Sequence, residues 1–294
     1  MNCINKLGMG TVQWGLPYGL ANKHGITTPE TVMALLDEAR QHGITVLDTA
    51  SLYGQSEAVL GMNPLEGFKV VTKTPRFTTP HISDIEAKQL GATFQQSLDL
   101  LKCKKTYALL IHHADNFLVP GGDKLLAAMR QLKEKGLVEK IGVSVYESTQ
   151  VDALLKKFTP DLIQLPLNVM DQRMLASGHL ELLKNKGVEI HVRSVFLQGL
   201  LLMPLNNIPA FFEPVRPLLA RWHAAAHAQG LTVNQAALAF VKNISYVDTV
   251  LVGLDNLAQL HSCFNDFAMD INFDATGLGC SVPTFVNPSL WQLK

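Results

Sequence analysis

Eight short apolar runs punctuate the chain, near 6–11, 44–48, 69–73, 106–112, 139–145, 161–165, 188–195 and 248–252. The runs at 45–47, 70–71 and 108–111 show no polar alternation, which is how strands buried on both faces read, and such strands belong to parallel sheets. Between the runs lie segments of helical character. Thr28-Pro29-Glu30 opens one that stops at His42-Gly43, and Ser83-Asp84 opens one that runs to about Lys102. Further helices are predicted over 122–135, 148–157, 173–186, 214–229, 233–243 and 255–267, with Gly136, Gly187 and Gly230 as their C-terminal stops. Eight strands alternating with helices predict an α/β fold, a (β/α)8 TIM barrel, and at 294 residues one domain covering 1–294. The stretch from Met203 to Pro217, with prolines at 204, 209, 214 and 217, is expected to be a long βα loop near the mouth. The tail from Asp270 to Lys294 either closes over that mouth or covers the barrel wall.

Composition narrows the picture. A hydrophobic content of 47% suits a large core, and 25 basic against 25 acidic residues give no net charge. Short basic stretches such as Lys102, Lys104 and Lys105 read as solvated surface, which argues against a nucleic-acid or anionic-membrane partner. No run approaches the roughly 20 apolar residues that span a bilayer, and the N-terminus lacks a secretory pattern, so a soluble cytoplasmic protein is expected. Cys3, Cys103, Cys263 and Cys280 are far apart and form no C-x-x-C pair, so reduced, structural cysteines are expected.

Four ionisable side chains stand at the ends of these strand-like runs or just beyond them. GITVLDTASLYG places Asp48 and Tyr53, VVTKT places Lys73, and LLIHH places His112 beside His113. In a parallel barrel the strand ends converge, so residues distant in sequence share one site. Singly each has a bland reading: Asp48 a cap, Lys73 surface, Tyr53 a loop anchor, His112 a core histidine. Together they suit carbonyl reduction. Tyr53 donates a proton to the carbonyl oxygen, Lys73 stabilises the developing phenolate, and Asp48 keeps the lysine charged and aimed. His112 donates a hydrogen bond that polarises the carbonyl. His113 competes for this role, and because side chains alternate along a strand it is expected on the opposite face, in the pocket wall.

The strings LGMGTVQWG, GITVLDTASLYGQSEAVLG, VVTKT, LLIHH, GLVEKIGVSVY, LIQLPLN and VLVGL occur in an order that resembles the aldo-keto reductases over nearly the whole chain. The resemblance implies an NAD(P)H-dependent oxidoreductase that reduces an aldehyde or ketone, with Asp48, Tyr53, Lys73 and His112 as the catalytic tetrad. It also implies a dinucleotide bound on the barrel. Gly8-Met9-Gly10 is not a Rossmann fingerprint, since the third glycine is missing. Ser144 and Gln164 match the positions that bind the nicotinamide carboxamide, and Gly10, Thr11 and Val12 those near its ribose. Ser194, Phe196, Leu197 and Gly199 match the pyrophosphate loop, and Gly253, Asn256 and Gln259 the adenosine end. No metal is implied.

Two departures from the family pattern stand out. Arg193 occupies a position where many relatives stack a tyrosine on the nicotinamide; its guanidinium can stack there, contact phosphate or pair with an acidic neighbour. After the last strand the chain reads Gly253-Leu254-Asp255-Asn256 and then Gln259, without the basic residues that hold a 2′-phosphate. NADP remains the expected cofactor, with NAD as the alternative because Asp255 suits a free ribose hydroxyl. Trp14, Tyr18, Phe77 and His113, with Phe196, Met170 and Trp291, are candidates to line the substrate pocket. His113 in place of a bulky aromatic suggests a hydroxylated carbonyl or sugar. Three rival readings stay open: a metal hydrolase using His112, His113 and Asp115, a Schiff-base enzyme using Lys73, and a catalytically slow nucleotide-sensing or regulatory barrel.

Overall fold

The computed structural model describes residues 3–293, Cys3 and Ile4 by their backbone alone. Eight parallel strands close on themselves in sequence order. They are β1 (Leu7–Gly10), β2 (Val46–Asp48), β3 (Lys69–Lys73), β4 (Thr106–Ile111), β5 (Val138–Ser144), β6 (Leu162–Pro166), β7 (Glu189–Arg193) and β8 (Thr249–Gly253). β8 pairs back onto β1, with Met9 opposite Val252. The (β/α)8 barrel predicted from the apolar runs is the architecture observed.

The outer helices are α1 (Pro29–Gln41), α2 (Ser56–Leu60), α3 (Asp84–Leu101), α4 (Ala114–Leu118), α5 (Asp123–Glu134) and α6 (Ser148–Leu155). They continue with α7 (Arg173–Ala176), α8 (His179–Asn185), α9 (Arg216–Ala228), α10 (Val233–Lys242), α11 (Leu257–Ala268) and α12 (Pro283–Val286). Local chemistry sets their ends. The Thr28 hydroxyl accepts from the Thr31 N–H to start α1, and Ser83 and Glu86 form a reciprocal capping box on α3. Gly136 and Gly230 end their helices in left-handed backbone, both at φ +71°. The helix predicted over 173–186 is two helices, because Gly178 sits at φ +75° and interrupts the ladder. The stretch from Met203 to Pro217 is not a plain loop. It winds into 3-10 turns at Leu205–Asn207 and Ala210–Val215.

Three apolar layers result. Val46, Val71, Ala108, Leu110, Leu162 and Leu251 fill the barrel interior. Strand residues of opposite parity, such as Leu47, Leu109, Ile163 and Val250, join Leu35, Leu36, Leu90 and Phe94 of the helices in the cluster around the barrel. A separate cluster gathers Ile208, Phe212 and Val215 of the 3-10 region with Leu219 and Trp222 of α9, Met170, and Leu278 of the tail. The described part of the tail covers this second cluster, where the Trp291 ring meets Phe212 edge-on at 4.9 Å. Cys103, Cys263 and Cys280 are free thiols, and the Cys3 side chain lies outside the described residues. No described helix is long and apolar enough to cross a membrane.

One contact ties the fold to the site. The loop after β1 meets the segment after β2 so closely that a β-carbon on Gly15 would stand 1.8 Å from the Tyr53 carbonyl oxygen and 2.4 Å from the Ser56 nitrogen. Gly15→Ala is therefore expected to destabilise the protein by about 1–3 kcal/mol, measured as a lower urea midpoint at unchanged slope.

Candidate active site

Parity along the strands builds the site. Counting by two from the inward residues Val46, Val71, Leu110 and Leu162 brings Asp48, Lys73, His112 and Gln164 to the C-terminal mouth. Lys73 and Asp48 are 1% and 5% exposed, so neither charge is placed there without a partner. The lysine Nζ donates to both Asp48 oxygens at 2.8 Å and to the Thr49 carbonyl at 2.8 Å. It also reaches the Tyr53 hydroxyl at 3.4 Å and lies 4.9 Å from the centre of that ring. Asp48 accepts in addition from the Gln164 amide at 2.7 Å.

The segment that follows Tyr53 is held by its neighbours. The Ser56 hydroxyl donates to the Thr11 carbonyl at 2.9 Å and lies 2.7 Å and 3.1 Å from the hydroxyls of Thr11 and Thr49. Glu57 of α2 accepts from Thr72 of β3 at 2.5 Å. Helix α2 is thus pinned to β3 beside Lys73. The His112 ring stands edge-on to Tyr53, 5.7 Å between centroids at 80°, and its backbone N–H donates to Thr74 Oγ1.

Burial, then the neighbouring charges, sets the protonation states. Burial and the Asp48 charge push the Tyr53 phenol above its ordinary value, so it stays protonated. Burial pulls the Lys73 ammonium down, and the Asp48 carboxylate opposes that shift. Burial and then the Lys73 charge take His112 down to about 2, which leaves a neutral imidazole at ordinary pH. Its Nδ1 is buried without a hydrogen-bond partner.

A cavity of about 710 Å³ opens over these groups and extends past the ends of β1 and β8. Tyr53, His112, Ser144, Gln164 and Arg193 line one part, and Gly253, Asp255 and Gln259 line the other. Gly10, Thr11, Val12, Asp48, Ser194, Phe196 and Gly199 line it as well, as do Tyr18 and His113. Above it the segment after β7 turns through left-handed backbone at Ser194, Leu197, Gln198 and Gly199. It meets the loop after β1, the Ala21 N–H donating to the Gln198 carbonyl at 3.2 Å and the Gln198 amide to the Tyr18 hydroxyl at 3.0 Å.

Several expected residues lie elsewhere. Trp14 is fully buried and donates through Nε1 to the Leu254 carbonyl at 3.0 Å, so it braces β8 rather than the pocket. Phe77 is buried and tied by its backbone to the Asn116 amide. Leu197 and Met170 are buried in the second cluster, which is where an apolar side chain gains most from water exclusion. Trp291 packs on that cluster too. Asn256 spends its side chain accepting from the Gln259 N–H as the cap of α11. His113 does not face away from His112. His112 directly follows β4 and keeps its parity, whereas His113 is already the N-cap residue of α4, where strand alternation no longer applies, and the two rings stack at 4.8 Å and 22°.

Arg193 lies 4.1 Å over the ring of Tyr146 and donates to the Val145 carbonyl. Tyr146, Gln13, Asn22 and Gln198 also line the cavity; Gln13 and Tyr146 stand inside the motif strings without having been singled out, and all four lie outside the strands and α-helices, where periodicity gives no signal. Asp115 accepts from Gln150 at 2.8 Å, and it does not join His112 and His113 in a set of converging ligand atoms among the described residues. Lys73, buried and held by a carboxylate, presents no free amine to the cavity.

The chain belongs to the Aldo/keto reductase family, whose sequence profile matches residues 6–276. That class comprises NAD(P)-dependent oxidoreductases. The aldo-keto reductase pigE of Monascus ruber is 29% identical over 210 residues, 66% of this chain; the match spans 60% of the length of pigE. The oxidoreductase YqkF of Bacillus subtilis is 23% identical over 273 residues, 87% of this chain and 85% of its own. Among solved structures, aldo-keto reductase AKR11C1 from Bacillus halodurans, in its holo form, superposes with a TM-score of 0.72 at 20% identity, covering 92% of this chain and 88% of its own. The glycerol dehydrogenase AKR11B4 from Gluconobacter oxydans gives 0.67 at 20% identity with the same coverage. These last two likenesses show the fold.

The state of His112 has a measurable consequence. As pH falls below about 6.5 the unfolded chain protonates this imidazole while the folded chain does not, so stability falls toward acid. In His112→Gln, urea midpoints compared between neutral and mildly acidic pH are expected to lose part of that slope, at most about 1.4 kcal/mol per pH unit.

Proposed function

We propose that the protein reduces an aldehyde or ketone to the corresponding alcohol, with Tyr53 as general acid. One observation carries this reading: a protonated tyrosine, a buried ammonium held by a carboxylate, and a neutral histidine meet at the mouth of one cavity. A carbonyl oxygen placed between Tyr53 and His112 accepts hydrogen bonds from both. As the C=O bond becomes C–H and O–H, the phenol gives its proton to oxygen, and Lys73 stabilises the phenolate that remains. Asp48 keeps the ammonium in place, and solvent returns the proton to Tyr53.

The residues fit a nicotinamide dinucleotide, which when bound supplies the hydride. The Gln164 amide donates to Asp48 and leaves its Oε1 buried and unpaired, an acceptor suited to a carboxamide N–H. Ser144 lines the cavity beside it. Ser194, Phe196 and Gly199 line the cavity, which supports a role for them in holding the pyrophosphate. Arg193, stacked on Tyr146, completes the wall at the reacting end.

At the other end Asp255 keeps Oδ1 buried without a partner, and Arg193 is the one Lys or Arg lining the cavity among the described residues. A free ribose 2′-hydroxyl can donate to that oxygen, whereas a 2′-phosphate meets a carboxylate with no cation to offset it. This supports NADH as a cofactor at least as good as NADPH. For the substrate, His113, Tyr18 and Gln198 give the cavity wall hydrogen-bonding groups, which supports a hydroxylated carbonyl such as an aldose over a flat aromatic aldehyde.

Tyr53→Phe is expected to lower kcat by about 10²–10⁴-fold while leaving dinucleotide affinity unchanged in a tryptophan-quenching titration. An unaltered rate refutes the proposed acid. In parallel titrations of the unmodified protein NADH is expected to bind no more weakly than NADPH, with Asp255→Ser shifting the ratio toward NADPH. A strong NADPH preference in the unmodified protein refutes the role given to Asp255.

A further inference from the structure

On the outside of the barrel, two helices from opposite ends of the sequence present three metal-ligating side chains to one another. Glu38 belongs to α1, His42 is its C-terminal cap, and His261 lies on α11. Glu38 and His42 are four residues apart on one helix face, and α1 packs beside α11 because β1 and β8 are paired. His42 Nε2 lies 3.0 Å and His261 Nε2 2.8 Å from the same carboxylate oxygen, Glu38 Oε1. One ligand atom from each residue falls within 4.8 Å of the others.

We propose that Glu38, His42 and His261 form a zinc site that clips α1 to α11 across the seam where the barrel closes. Two imidazole nitrogens and one carboxylate oxygen are a donor set suited to Zn2+, and bonds of about 2.0–2.1 Å place tetrahedral ligand atoms about 3.3 Å apart. The two measured nitrogen-to-oxygen separations are already close to that edge. Small rotations of the rings about their side-chain bonds bring the nitrogens onto a common ion. Each imidazole then presents a lone pair rather than N–H at Nε2, its proton moving to Nδ1 or leaving to solvent.

Two further features favour an ion at this place. The His42 ring lies against Phe264 of α11, 3.8 Å between centroids, which narrows the range of orientations it samples before any metal arrives. The side chains of Glu38, His42 and His261 are 26%, 28% and 50% exposed, enough for an ion to enter and for water to hold a fourth position. Mg2+, which demands oxygen ligands in octahedral geometry, is not served by this set.

The test uses tag-free, full-length protein stripped with a chelator, titrated calorimetrically with Zn2+ and separately with Mg2+. The expected result is one Zn2+ per chain with a micromolar or tighter Kd, a Zn2+-dependent rise in Tm, and no response to Mg2+. Glu38→Gln and His261→Gln alter a half-buried and an exposed side chain outside the core, and far-UV circular dichroism checks that both variants fold. Each is expected to weaken zinc binding by about tenfold or more and to abolish the Tm rise. The proposal is overturned if the unmodified protein takes up no zinc at micromolar concentration. It is equally overturned if both variants bind zinc as the parent does, an outcome that places the ion on another group such as His112 and His113.

Discussion

An ammonium group with almost no contact with water survives only where other atoms replace its hydration. Lys73 has three such replacements, the two oxygens of Asp48 and the carbonyl of Thr49, all supplied by β2 and the turn that follows it. The pairing of β2 with β3 therefore tolerates no slip, because a shift by one residue turns Asp48 or Lys73 out of the barrel and strands the other. The geometry at the mouth depends on this ion pair. Tyr53 is reached by the same ammonium, and Gln164 is oriented by the same carboxylate.

The pair also governs the electrical character of its surroundings. One positive and one negative charge, locked together, leave little net field at a distance, yet each acts strongly on what it touches. Burial first and then the carboxylate disfavour a phenolate at Tyr53, and burial first and then the ammonium disfavour an imidazolium at His112. Both groups are thereby left as neutral hydrogen-bond donors facing one space. Structurally the protein has separated two tasks: the Lys73 ammonium sits behind the wall, and Tyr53 and His112, which face the reacting end of the cavity, carry no charge of their own.

The barrel was legible in the sequence because its strands are buried on both faces, and unbroken runs such as ALLI leave little alternative. Asp48, Lys73 and His112 were legible for a related reason, since they are the polar residues at which those runs stop. Legibility ended where the chain left regular structure. His113 follows His112 beyond the end of β4, so alternation gave it the wrong face. Trp14 and Phe77 look like mouth residues because they are aromatic and lie near motifs, but each found a better partner in the interior, a carbonyl for Trp14 and an anchored backbone for Phe77. Asn256 was read as a ligand contact, whereas a helix start claimed it first. The short helices α2 and α4 have five residues each, too few for any periodicity to show.

The second apolar cluster has a different kind of importance. The segment that follows β7, with its 3-10 turns, α9 and the tail, buries its own leucines, phenylalanines and Trp222 in a core set apart from the one around the barrel. It shares the barrel's scaffold without sharing the residues that brace Lys73. Substitutions that reshape this segment are thus felt first in a compartment that the ion pair does not need. α9 and the tail can take new shapes while Lys73 keeps its contacts, and the protein's room to diverge resides in the partition of its hydrophobic interior.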